Sequence, residues 1–132
     1  MVIATGQKPA DLKIPGTAHL LTTRDQFLEL DELPKRILFI GGGYIAFEFA
    51  HVAARAAQVN IVHRGPRPLC LFDPGLVDQV VESTRELGVD VQLGTEVVGV
   101  EKSSVRLIVR ASASGQDRVF ETDVVVRCRP RA

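Results

Sequence analysis

The segment Gly41-Gly42-Gly43-Tyr44-Ile45-Ala46 constrains this chain more than any other, because of what stands on either side of it. Before it, Arg36-Ile37-Leu38-Phe39-Ile40 is a short apolar run without alternation, which predicts a strand buried on both faces. After it, Tyr44 to Ala57 is rich in alanine and apolar residues and predicts a helix able to pack on a sheet. Val59-Asn60-Ile61-Val62-His63 then predicts a second strand. The glycines therefore occupy the strand-to-helix turn of a strand–helix–strand unit.

The residue types suit a phosphate-binding turn, with Gly41, Gly43 and Ala46 at the positions of a G-x-G-x-x-G/A pattern. Gly41 permits the tight turn, Gly43 leaves the backbone open to a pyrophosphate, and Ala46 lets the helix lie close to the strand. The helix N-terminus adds unpaired N–H groups and the positive end of its dipole. Gly42, Tyr44 and Ile45 complete the cradle. The same glycines would also serve a turn of purely structural purpose, but the strand before and the helix after favour a Rossmann nucleotide site. An acidic residue near the end of the second strand would accept hydrogen bonds from the ribose 2′-hydroxyl of NAD. His63 stands there, followed by Arg64-Gly65-Pro66-Arg67, and no carboxylate occurs from Ala50 through Phe72. Guanidinium groups pair well with a 2′-phosphate, so His63, Arg64 and Arg67 point to NADP(H) over NAD(H). The plainer reading makes the two arginines solvated loop residues.

The rest of the chain completes an α/β reading. Val2 to Ala4 is expected as a short strand and residues 7–21 as loop. Thr22 or Thr23 caps a short helix through Leu30, with Phe27, Leu28 and Leu30 on its apolar side, and Pro34 stops it. Asp73, Pro74 and Gly88 mark the cap, first position and end of a further helix. Its apolar stripe is Leu76, Val77, Val80, Val81 and Leu87. Val89 to Leu93 predicts a third strand, making residues 36–93 a parallel unit with right-handed crossovers. Thr95–Glu101, Ser104–Ala111 and Arg118–Glu121 then predict an antiparallel meander. Asp123-Val124-Val125-Val126 returns to the parallel sheet. The expected architecture is a Rossmann-like parallel sheet with flanking helices and an antiparallel β-meander crossover.

Composition narrows the functional classes. With 132 residues, 45% of them hydrophobic, the chain suffices for one domain with a core of its own. Sixteen basic residues balance sixteen acidic ones, which disfavours binding to nucleic acid or anionic lipid through bulk charge. Cys70 and Cys128 are far apart, and His19, His51 and His63 are scattered, so no zinc or CxxC site is expected. The first residues lack the basic and apolar regions of a signal peptide, and no apolar run has membrane-spanning length, so cytoplasmic residence is the expectation.

Ala4-Thr5-Gly6-Gln7-Lys8-Pro9, Leu33-Pro34-Lys35-Arg36, the Gly41 to Glu48 turn and Phe72-Asp73-Pro74 together resemble the pyridine nucleotide-disulfide oxidoreductases. Glutathione reductase, mercuric reductase and dihydrolipoyl dehydrogenase belong to that family. The resemblance runs over residues 2–126 in consistent order. It implies an FAD enzyme in which a nicotinamide reduces the flavin, and the flavin then reduces a disulfide or another acceptor. By position, Tyr44 resembles the aromatic lid that covers the flavin until the nicotinamide displaces it. Glu48 resembles the glutamate that pairs with a lysine of the flavin domain. From the residues alone, Tyr44 could equally be a half-buried aromatic at a helix start. Glu48, between Phe47 and Phe49, is expected to need a partner.

The resemblance divides the chain into residues 1–34, like the connection from an FAD domain, residues 35–127 as the NAD(P)-binding domain, and a tail at 128–132. The family's flavin domain, redox cysteine pair and dimerisation domain have no counterpart in these 132 residues, which look like one excised or truncated domain. A second reading makes the chain a non-catalytic Rossmann module that self-associates or binds a partner through apolar surface around Met1 to Ala4, Tyr44 and Phe47. A short-chain dehydrogenase is disfavoured, because Tyr44 is the only tyrosine and Glu48 stands where its Tyr-x-x-x-Lys lysine would be.

Overall fold

The computed structural model describes residues 1–5, 14–15 and 21–128. Among these, the elements in chain order are β1 (Leu21–Thr23), α1 (Arg24–Leu28), β2 (Arg36–Ile40), α2 (Tyr44–Ala53), β3 (Gln58–Val62), α3 (Pro74–Glu86) and β4 (Asp90–Gln92). They continue with β5 (Thr95–Lys102), β6 (Leu107–Ala113), β7 (Gln116–Thr122) and β8 (Val124–Arg127). Five strands form a parallel sheet in the order β1-β8-β2-β3-β4, and β5-β6-β7 form a separate antiparallel sheet.

β2 lies between β8 and β3, and its last four residues are buried. Its side chains divide by the two-residue period of a strand. Ile37 and Phe39 join Ala46, Phe47, Ala50 and Ala53 of α2 and Val77 and Val81 of α3. Leu38 and Ile40 face Val97, Val100, Val109 and Ala111 of the meander. The unbroken apolar run is thus explained by one cover of helices and another of antiparallel sheet. The return strand, read from its three valines, does come back: Val124 pairs with Ile37 and Arg127 with Ile40. Asp123 holds that junction, because its carboxylate accepts from Arg36 N–H at 3.0 Å while its own N–H donates to Arg36 C=O at 3.1 Å.

Several expectations are corrected. Residues 2–4 are exposed and form no strand; the place beside β8 belongs to Leu21–Thr23, where the sequence predicts the end of a loop at Leu21 and a helix cap at Thr22 or Thr23. Thr23 caps α1 through a capping box with Gln26, but the helix stops at Leu28. So short a helix turns one side inward, so Phe27 packs on Phe39 and Phe49 while Leu28 and Leu30 stay exposed. Likewise α2 ends at Ala53, because the N–H groups of Ala56 and Ala57 both fold back on Ala53 C=O to bring Gln58 into register with Arg36.

For α3 the end signals hold. Asp73 accepts from Gly75 N–H and Leu76 N–H, Pro74 opens the helix, and Gly88 takes φ +90°. The stripe is narrower than expected: Val77, Val81 and Thr84 are buried, whereas Leu76, Val80 and Leu87 are exposed. Thr84 donates to Val80 C=O at 2.6 Å, so its hydroxyl accepts from His51 Nε2 at 2.8 Å and ties α3 to α2. In the meander, strand β6 begins at Leu107 because Ser103 closes a turn onto Arg106. Strand β7 is longer than expected, since the β6–β7 turn needs only Ser114 and Gly115, both at positive φ. The expected tail at 128–132 lies outside the described residues except for Cys128, whose N–H donates to Ile40 C=O.

Candidate functional site

The glycine turn sits at the C-terminal end of β2, beside the ends of β3 and β8. Gly41 takes φ +113°, a conformation that side chains other than glycine's rarely adopt, and its N–H donates to Val62 C=O at 2.9 Å. Gly43 is the N-cap of α2 and supplies no side-chain cap to the first turn. Ala46 is fully buried between α2 and the sheet, as its small size requires.

Gly42 and Gly43 differ in why they lack a side chain. A Cβ on Gly42 would lie 2.7 Å from both His63 Cγ and Pro68 Cβ, a contact the fold itself forbids. Among the described residues, a Cβ on Gly43 would meet Cys128 C=O alone, at an ordinary 3.6 Å. Among the described residues, the packing leaves room for a Cβ at Gly43.

The segment after β3 folds over this turn. His63 Nδ1 accepts from Gly42 N–H at 3.0 Å, and His63 Nε2 faces Arg67 C=O at 3.1 Å. Leu69, at φ +50°, donates its N–H to Gly42 C=O. Arg64 and Arg67 are exposed at the edge of the site. The structure supplies them with carboxylates from distant parts of the chain: Glu96 lies 3.7 Å from Arg64, and Asp78 lies 3.5 Å from Arg67. Both are solvent-exposed pairs at long range, of the kind that contributes little. Neither acidic residue was visible as a neighbour in the sequence, nor were Pro68 and Leu69 as packing partners of Gly42.

Tyr44 and Glu48 lie one turn apart on the outward side of α2, followed by Val52. Tyr44 is 56% exposed. Glu48 is also exposed, so Phe47 and Phe49 on either side do not bury its carboxylate. Phe47 points inward and is buried, so it does not contribute to an exposed apolar surface; Ile45 is half-buried against the helix-side core. Cys70 is exposed and Cys128 buried, with no disulfide between them. Among the described residues no group of three or more His, Cys, Asp or Glu is placed to hold a metal, and no helix is long and apolar enough to cross a membrane.

Residues 1–129 match the profile of the family described as pyridine nucleotide-disulphide oxidoreductase. This chain belongs to that family. Among its relatives are a glutathione reductase from Burkholderia cepacia, 35% identical over 99% of this chain and 28% of that protein, and a mercuric reductase from Staphylococcus aureus, 32% identical over 95% and 23%. A mitochondrial dihydrolipoyl dehydrogenase from Pisum sativum is 33% identical over 96% of this chain and 26% of its own length. These relatives are oxidoreductases, and the chain spans less than a third of each.

Solved structures agree in fold. The HOCl-induced flavoprotein disulfide reductase of Escherichia coli, solved as a Cu(II) complex, superposes with a TM-score of 0.84 at 26% identity, over 95% of this chain and 28% of that one. An engineered water-forming NADPH oxidase bound to NADPH superposes with a TM-score of 0.81 at 26% identity, over 94% and 29%. The parallel sheet, its helices and the meander are thus the architecture of a flavoprotein disulfide reductase segment.

Proposed function

We propose that these 132 residues are the NAD(P)H-binding domain of an FAD-dependent, disulfide-reductase-like oxidoreductase, holding the nicotinamide for hydride transfer to the flavin. The observation that carries this reading is Gly43. Among the described residues nothing requires a glycine there, whereas a pyrophosphate approaching the N-terminus of α2 would. Gly41, Gly42, Gly43, Tyr44, Ile45 and Ala46 form the cradle. The nicotinamide, when bound, supplies the hydride; the chain's own residues supply orientation. Tyr44 would cover the nicotinamide's place and yield it on binding, and Glu48, on the same outward stripe, would pair with a lysine of the flavin domain. FAD and dimerisation belong to the intact architecture. Alone, the domain binds without turnover.

NADP(H) is favoured over NAD(H). His63 stands where a carboxylate would accept from the ribose 2′-hydroxyl of NAD, and the weak pairs of Arg64 and Arg67 leave both guanidiniums able to exchange a carboxylate for a phosphate. Isothermal titration with NADPH and NADH tests this. NADPH should bind more tightly, and Arg64→Ala with Arg67→Ala should erase the difference. A clear preference for NADH would overturn the assignment.

A second reading, association through apolar surface, is supported by the exposure of Met1, Val2, Ile3, Tyr44 and Val52. A concentration-dependent oligomer together with no dinucleotide binding in sedimentation and titration would favour it.

A further inference from the structure

Gly42 is gripped on three sides by the segment that follows β3. Its N–H donates to His63 Nδ1 at 3.0 Å, its C=O accepts from Leu69 N–H at 2.9 Å, and the space where a Cβ would stand is filled by His63 and Pro68. The hydrogen-bond pattern defines the tautomer. Arg67 C=O can only accept, so the ring proton sits on Nε2 and the lone pair on Nδ1 faces Gly42. The backbone of His63 is anchored independently, with its N–H on Gln92 C=O and its C=O accepting from Thr95 N–H. Gly65 leaves room for the ring, since a Cβ there would lie 2.9 Å from Nε2. The imidazole therefore bridges the phosphate turn and the loop carrying Arg64 and Arg67, with its two nitrogens turned to backbone groups.

We propose that His63 is a positioning residue that joins the glycine turn and the Arg64–Arg67 loop into one unit. The proposal rests on the dinucleotide reading above. A pyrophosphate and a ribose phosphate of one ligand are tethered through a single ribose, which limits their separation, so a site whose two halves are already held in register loses less on binding both. His63 sets that register through Gly42 without itself touching the ribose.

Nitrogen-15 NMR of the uniformly labelled chain reads the bond directly. A coupling across the hydrogen bond between the Gly42 amide nitrogen and His63 Nδ1, with Nδ1 unprotonated, is expected; its absence or a proton on Nδ1 overturns the proposal. Variants then separate the two nitrogens. His63→Asn places an amide oxygen where Nδ1 accepts, whereas His63→Gln places its polar end near Nε2. Slow exchange of the Gly42 amide and near-native NADPH affinity should persist in His63→Asn, while His63→Gln and His63→Ala should each bind about tenfold more weakly. Native affinity in His63→Ala, with wild type binding NADPH, overturns this inference alone. A wild type that shows the coupling but binds no dinucleotide overturns the proposed function, and with it the register role.

Discussion

A methyl group at Gly42 would come within 2.7 Å of His63 and Pro68, but at Gly43, among the described residues, it would meet a carbonyl alone, at 3.6 Å. The two substitutions should therefore fail in opposite assays. Gly42→Ala should lower stability by about 1–3 kcal/mol, the usual cost of overpacking, as read by chemical denaturation. Gly43→Ala keeps an allowed backbone at φ −85° and should cost about 1 kcal/mol or less. Yet it should weaken NADPH binding severely, because the new methyl occupies the approach to the helix. Thr84 offers a second residue-scale test. Its hydroxyl is buried between Val80 C=O and His51 Nε2, so Thr84→Val should cost about 1–3 kcal/mol by leaving the imidazole N–H without its acceptor.

At the scale of elements, α1 shows how a correct start can accompany a wrong extent. The capping signal at Thr23 lies within three residues of its target, so it is legible in sequence. The stopping point depends on how much of the helix the sheet can cover, which no local signal encodes. Phe27 meets Phe39 and Phe49 at ring distances of 5.7 and 5.5 Å, whereas Leu28 is 65% exposed. Phe27→Ala should therefore destabilise by about 2–3 kcal/mol, below the value for a fully buried ring. Leu28→Ala should stay within about 0.5 kcal/mol in the same denaturation experiment. The α3 stripe overreached for a related reason: Leu76, Val80 and Leu87 have helical spacing, but the sheet covers only the arc of Val77, Val81 and Thr84.

For the molecule as a whole, two covers lie on one parallel sheet, and the glycine turn stands at the C-terminal end of its central strand. On the proposed function, this segment binds a dinucleotide and a flavin site is not expected of it. Purified chain should show no stoichiometric flavin absorbance and should not oxidise NADPH; a bound yellow chromophore with turnover would contradict that. Strand β1 was not legible in sequence, whereas the strand–helix alternation of residues 36–93, the turn, the α3 caps and the return of β8 were. Each rests on periodicity, a cap or a required backbone angle, and these act within a few residues along the chain. Sequence by itself thus determined the Rossmann-like architecture and the location of the glycine turn. Only the tertiary structure decided that Gly42 has no room for a side chain, that Glu96 and Asp78 face the two arginines, and that Glu48 lies exposed. Those facts depend on which distant segments the sheet register brings together, and a linear pattern carries no distance between residues that meet only after folding.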